Sequence, residues 1–239
     1  QYDRDVVRGV PRREVVIDDR HPSQRDIPGV SHLVRVDDLI AGRVDLATMQ
    51  GLVACGQPKG GAVTDEEMTM GKADAKVTVI EYASASCGHC ATFHAEVFPA
   101  FKTKYVDTGR VKYVFREFIT PPAELAAAGF LTARCGGKDK YFSVLDGVFR
   151  SQEEIFRTGD MRSPLVRVAK SAGLTEEQFM ACVSDEKALK ALATRVEKFA
   201  KQDNITGTPT FLINGEKLDG EQTLAAFDTA IAAAEASAK

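Results

Sequence analysis

The feature that most constrains this chain is a pair of cysteines two residues apart, in Ser86-Cys87-Gly88-His89-Cys90, shortly after the run Lys76-Val77-Thr78-Val79-Ile80-Glu81-Tyr82. The run is short and β-branched, as in a buried strand, whereas Phe93, Val97, Phe101 and Tyr105 follow at a helical period. The two thiols therefore fall where a strand ends and a helix begins. A helix N-terminus offers free backbone N–H groups and the positive end of the macrodipole, both favourable to an anion. Cys87, at the helix start, gains most from this, and Cys90 lies one turn further in and is more shielded. Gly88 and His89 separate the cysteines, and the His89 side chain can support a Cys87 thiolate, lowering its pKa below the free-thiol value of about 8.5. The pattern reads as a reactive dithiol.

Other chemistries for these residues are weighed against that one. Cys87, Cys90 and His94 have a spacing usable for zinc, but the sequence carries no second pair to complete a four-ligand site. A c-type haem needs histidine directly after the second cysteine, and Ala91 stands there. A soft metal such as Cu(I) could lie between Cys87 and Cys90, although no Met-rich or His-rich tract accompanies them. With 31 Lys and Arg against 34 Asp and Glu, a net charge of -3, the chain gives no electrostatic reason to expect nucleic acid as a partner. The hydrophobic fraction of 44% suffices for a core, and no run of 18 apolar residues predicts a membrane-spanning helix.

Five cysteines are an odd count. If Cys87 works with Cys90, then Cys135 and Cys182 can pair as a structural disulfide, with two buried free thiols as the alternative. Cys55 is left alone. A structural disulfide suits an oxidising compartment. Residues 1–67 mix charges with Gly and Pro and read as an N-terminal segment and linker, largely disordered, with a weakly helical stretch available over 31–53. Within it, Leu52-Val53-Ala54-Cys55 resembles the site at which bacterial lipoprotein precursors lose a signal peptide and are acylated on cysteine. Arg43, Asp45 and Gln50 interrupt the apolar region such a leader needs, so a chance tetrapeptide is the alternative to lipid attachment at Cys55.

The folded part is expected over 68–239. Pro99 should kink the helix after the cysteines, because it lacks an N–H and crowds the preceding turn, and Gly109 should end it. A second buried strand is expected from Val111 to Phe118. Residues 121–204 read as helices: Ala123 to Arg134, Tyr141 to Phe149, Ser163 to Ala172, one opened by the capping box Thr175-Glu176-Glu177-Gln178, and one from about Asp185. Strands from Pro209 to Ile213 and around Glu216 to Leu218 flank an Asn214-Gly215 turn, and a helix from Glu221 to about Ala234 closes the chain.

Taken together, Cys87-Gly88-His89-Cys90 after a buried strand, Thr208-Pro209 before a late strand, and the helical block between them resemble the DsbA-like members of the thioredoxin superfamily, over roughly Met68 to Ala234. The resemblance implies an α/β thioredoxin-like fold with a helical insertion between the second and third core strands. It implies a cis bond before Pro209, beside the sulfurs, with the Thr208 backbone pairing to an extended substrate and the Thr208 hydroxyl near Cys87; a trans proline opening a strand is the alternative. Glu81 matches the buried acid of the superfamily, where desolvation should raise its pKa and suit it to relay the proton of Cys90; a strand-end Glu reaching water is the alternative. The activity implied is that of a secreted, periplasmic thiol:disulfide oxidoreductase without a cofactor, a dithiol oxidase acting on reduced exported proteins and reoxidised by a quinone-linked membrane protein. An isomerase or reductase is the rival, particularly if 31–53 brings protomers together.

Overall fold

The computed structural model describes residues 67–238. The weakly helical stretch expected over 31–53 and the lipid-attachment candidate Cys55 lie outside the described residues. Among the described residues no helix is long and apolar enough to cross a membrane.

The strand read from Val77-Thr78-Val79-Ile80 is β2 (Val77–Ala83), the middle of a five-stranded sheet in the order β1-β3-β2-β4-β5. β3 (Val111–Glu117) lies parallel to β2, and β4 (Thr210–Ile213) lies antiparallel on its other side. A strand paired on both sides in the middle of a sheet is largely apolar, and Val77, Val79, Tyr82 and Ala83 are buried together, with Glu81 the one charged residue among them. β4 and β5 (Glu216–Asp219) form the expected hairpin, with Asn214 and Gly215 both at positive φ, 47° and 96°, as a tight two-residue turn requires. β1 (Met68–Met70) adds an outer antiparallel strand to β3. At three residues it is too short to show a sequence period; the helical block lies, as expected, between the core strands β3 and β4, which are the third and fourth strands once β1 is counted.

Parallel pairing of β2 and β3 demands a crossover, supplied by α1 (Gly88–Glu96) and α2 (Phe98–Phe101), with a wider π turn over Lys102–Val106. The helix is interrupted at Val97 where only a kink was expected; Pro99, with no N–H to donate, sits in the first turn of α2. These helices and the closing α8 (Leu224–Ser237) share an aromatic core with the sheet: Phe93 stands 4.8 Å from Phe211, and Phe101 4.9 Å from Phe227, ring centre to ring centre.

The helical block comprises α3 (Ala123–Cys135), α4 (Tyr141–Thr158), α5 (Arg162–Ser171), α6 (Glu176–Val183) and α7 (Glu186–Gln202). Both hydrogen bonds of the Thr175 and Gln178 capping box are present at the start of α6. α4 runs nine residues past its expected end at Phe149, to a left-handed cap at Gly159. Its buried stripe of Val144, Leu145, Val148 and Phe149 continues through Gln152 to Ile155, so a polar residue in the stripe hid the second half. The Gln152 side-chain NH₂ donates to the Ala85 carbonyl at 2.8 Å, in the loop before the cysteines. Gly129 of α3 approaches the same loop so closely that a Cβ there would lie 2.8 Å from the Ala85 methyl.

The block is tied to the sheet by the last residue of β3. Glu117 is buried and accepts hydrogen bonds from Arg134 of α3 at 2.6 and 3.0 Å, from the Tyr141 hydroxyl of α4 at 3.2 Å, and from Arg195 of α7 at 3.3 Å. Three helices thus converge on one carboxylate. Cys135 and Cys182 add a covalent link between α3 and α6, bonded as a disulfide with Cα atoms 6.4 Å apart.

Removing one member of a buried ion cluster leaves the others desolvated and unpaired. Glu117→Ala is therefore expected to lower stability by about 3–5 kcal/mol. Urea unfolding of the oxidised protein measures it, and a loss below about 1 kcal/mol, the scale of an exposed pair, would show that the cluster is not a structural tie.

Candidate active site

The loop from Ala83 to Cys87 is fixed by polar contacts that the sequence did not announce. Ser84 and Ser86 are both buried. The Ser84 hydroxyl accepts from the Thr120 N–H at 3.2 Å, the Ser86 hydroxyl donates to the Thr120 carbonyl at 2.8 Å, and the Cys87 N–H is held by the Ser84 carbonyl at 3.0 Å. The segment after β3 therefore braces the segment after β2. Two serines before a cysteine pair look like ordinary loop residues in sequence, and only the convergence of the two strand ends gives them this work.

Cys87 occupies the N-cap of α1, with extended backbone angles, and its sulfur accepts from the Cys90 N–H at 3.4 Å. As a thiol it donates to the Thr208 carbonyl at 3.5 Å, across from the cis bond between Thr208 and Pro209. The structure thus brings together Cys87, Cys90, Thr208 and Pro209 from opposite ends of the chain. The Thr208 hydroxyl oxygen is buried and has no hydrogen-bond partner while Cys87 is a thiol. Once the thiolate forms, that hydroxyl is a donor facing it.

The two sulfurs lie in opposite conditions. The Cys87 thiol is pushed down from the ordinary 9.0 to about 6: the hydrogen bond with Cys90 contributes most, and the Thr208 side chain and the backbone N–H groups of Cys90 and His89 add to it, against partial burial that works the other way. Cys90 is fully buried, and desolvation first, then its contacts with Cys87 and the charge of Glu81, push its thiol far above the ordinary value. At neutral pH one sulfur is an exposed-edge nucleophile and the other is held protonated.

His89 does not act on Cys87 through its ring. Its imidazole is largely exposed and directed to Glu221, with Nδ1 2.7 Å from Oε1, and what His89 gives Cys87 is its backbone N–H. Gly88 lies at the first position of α1 with open space around it. Glu81 does not reach water. It is fully buried, its Oε1 3.0 Å from His94 Nε2 and its Oε2 accepting from the Tyr113 hydroxyl. His94 is thereby committed to Glu81, and among the described residues no three His, Cys, Asp or Glu side chains cluster as metal ligands would.

A family model described as thioredoxin matches residues 63–233. A Rickettsia bellii protein whose name assigns it provisionally to the protein-disulfide oxidoreductases is 33% identical over 173 residues, 71% of this chain and 66% of that one. A counterpart from Rickettsia conorii is 32% identical over 170 residues, 71% of this chain and 60% of that one. The chain thus spans a little under two thirds of the length of these curated relatives. Among solved structures, α-DsbA1 of Wolbachia pipientis is similar with a TM-score of 0.66 and 28% identity, over 72% of this chain and 92% of that one. The oxidised form of BdbD from Bacillus subtilis shares the fold with a TM-score of 0.62 at 22% identity, over 73% of this chain and 95% of that one.

The reduced protein should show a thiolate absorbance that titrates near pH 6 and is lost in Cys87→Ser. The folded-state value lies below the unfolded one, so the resulting stabilisation of the reduced form is complete above about pH 8.5 and is lost as pH falls through about 6. Thr208→Val, which removes the hydroxyl donor, should raise the midpoint. His89→Ala, which keeps the backbone N–H, should move it less, and the reverse order would show that the imidazole, not the backbone, supports the thiolate.

Proposed function

This chain belongs to the thioredoxin family, in its DsbA-like branch, and on that premise we propose that it is a thiol:disulfide oxidoreductase working as a dithiol oxidase on exported proteins. The observation that carries this reading is the asymmetry of the two sulfurs: Cys87 stabilised as an anion at the N-cap of α1, and Cys90 buried behind it. A substrate thiolate attacks the sulfur of Cys87 in the oxidised protein, the bond between Cys87 and Cys90 breaks, and Cys90 takes the electron pair and a proton. A second substrate thiolate then attacks the substrate sulfur of the mixed disulfide, and Cys87 leaves as a thiolate. Whatever stabilises that thiolate speeds its departure and favours the reduced enzyme, which makes the disulfide form an oxidant.

The Thr208 backbone, next to Cys87, supplies the polar groups against which an extended peptide would align, giving affinity without a demand for a particular sequence. By family resemblance the dithiol would be returned to the disulfide by a quinone-linked membrane protein, and the compartment would be the periplasm. There the link between Cys135 and Cys182 would persist as a structural disulfide. Cys55 is proposed as a lipid attachment point, on the strength of Leu52-Val53-Ala54-Cys55 alone.

Two measurements test the reading. The equilibrium reduction potential of the Cys87 and Cys90 pair should lie near that of strong oxidants, about -120 mV, and a value near the -270 mV of thioredoxin would reassign the protein as a reductase. Cys90→Ser, offered a reduced unfolded protein after activation of Cys87 as a mixed disulfide, should transfer that disulfide but form no internal one.

A further inference from the structure

The oxidase reading leaves one buried group without a task. His94 follows Cys90 by one helical turn on α1 and is turned inward, stacked on Phe149 of α4 at 4.5 Å between ring centres. A lone histidine on such an apolar face is ordinarily a packing residue. This one has its Nε2 3.0 Å from Glu81 Oε1, a distance that needs a proton between the two atoms. The other oxygen of Glu81 is occupied by the Tyr113 hydroxyl. Glu81 is close enough to Cys90 for its charge to act on that thiol.

His94 also lines a cleft of about 370 Å³ between α1 and α4, together with Gly88, Ala91, Phe149 and Gln152. The cleft is polar enough for water. Asp146, Arg150 and Glu153 from α4 and Glu96 from α1 line it, and the buried Oε1 of Gln152 has no partner in the protein. With Nε2 committed to Glu81, Nδ1 is the only other proton site on the ring. One residue thus holds a sealed carboxylate and belongs to the wall of a solvent cleft.

We infer that His94 is a proton-relay residue of the disulfide exchange, giving a proton to the cleft or taking one from it as Glu81 accepts or returns the proton of Cys90. The inference rests on the reading that Cys87 and Cys90 exchange disulfides. When Cys90 resolves a mixed disulfide on Cys87, its S–H bond breaks and the proton passes to the Glu81 carboxylate. The Cys90 sulfur forms a bond to the Cys87 sulfur, and the outgoing thiol leaves with the electron pair of the broken disulfide. At the outset His94 donates its Nε2–H to the Glu81 carboxylate and carries a second proton on Nδ1; as Glu81 takes the proton of Cys90, Nδ1 releases its own to the cleft and Nε2 keeps its hydrogen. Opening of the disulfide runs the same transfers backwards. Without that release, protonation of the fully buried Glu81 would leave a buried imidazolium without its counter-ion.

The groups facing this path are Glu81 from β2, Tyr113 from β3, Cys90 and Glu96 from α1, and Asp146, Arg150 and Glu153 from α4. Tyr113 holds the carboxylate in place, and the charged residues at the cleft set only how readily the proton leaves.

A chromogenic aryl disulfide separates the steps, because the full chain, mixed in excess with the probe, releases one aryl thiolate on attack by Cys87 and a second on attack by Cys90. His94→Gln keeps an N–H for Glu81 but cannot pass a proton. The first release should keep its rate and pH midpoint, the second should slow by at least about tenfold, toward the 10²–10⁴-fold typical of positioned proton-transfer groups, and added imidazole should restore it. An unchanged second release, or one slowed without rescue, would overturn the relay and leave His94 a packing residue. If His94→Gln does not fold, wild-type protein decides the matter: deuterated solvent should slow the second release and not the first, and equal effects would overturn the proposal. Should wild-type protein release no second equivalent, the exchange chemistry itself fails, and the relay falls with it; a defect confined to His94→Gln cannot be confused with that result.

Discussion

The structure depends on holding two sulfurs one helical turn apart in unequal surroundings. Cys87 caps α1, where backbone N–H groups and a hydrogen bond with Cys90 stabilise its anion, and Cys90 is sealed in the core, where an anion is expensive. Neither environment is a property of the cysteines. The first comes from a helix beginning at that residue, and the second from the sheet, α4 and the aromatic cluster around Phe93 that close over the first turn.

Everything near the site serves that inequality. β2 delivers the chain to the helix start at the centre of the sheet, where neighbours on both sides prevent it from shifting. Ser84, Ser86 and Thr120 lock the loop by cross-linking the ends of β2 and β3. Gly129 and Gln152 bring α3 and α4 against Ala85, and Glu117 holds these two helices and α7 to the sheet by a carboxylate that all three share. The helical block is thus one wall of the site as well as an addition to a smaller fold. It contributes Phe149 and the cleft beside His94, and it ends at the segment that returns Thr208 and Pro209 to Cys87.

Much of this was legible in the chain. The strand before the cysteines, the helix after them, the disruption near Pro99, the capping box at Thr175 and the hairpin at Asn214-Gly215 each follow from local chemistry, and each lies where that chemistry puts it. The errors share a cause as well. β1 is too short to carry a period, and the second half of α4 was lost because Gln152 stands in a buried stripe that sequence reading assumes is apolar. Its burial is tolerable only because Ala85, 67 positions away, offers a carbonyl.

His89 and His94 divide what sequence can say from what it cannot. The chain by itself determined that two cysteines would meet at a helix start, since strand period, helix period and spacing are all local. It placed a histidine between the cysteines and another one turn later, and position alone assigns the first to the sulfur. Tertiary structure gives each ring a different partner. Glu221 draws the His89 ring to the surface, and folding β2 against α1 presses His94 onto Glu81. Which histidine meets which carboxylate depends on residues 132 and 13 positions apart, and no local pattern encodes a contact set by the packing of whole elements.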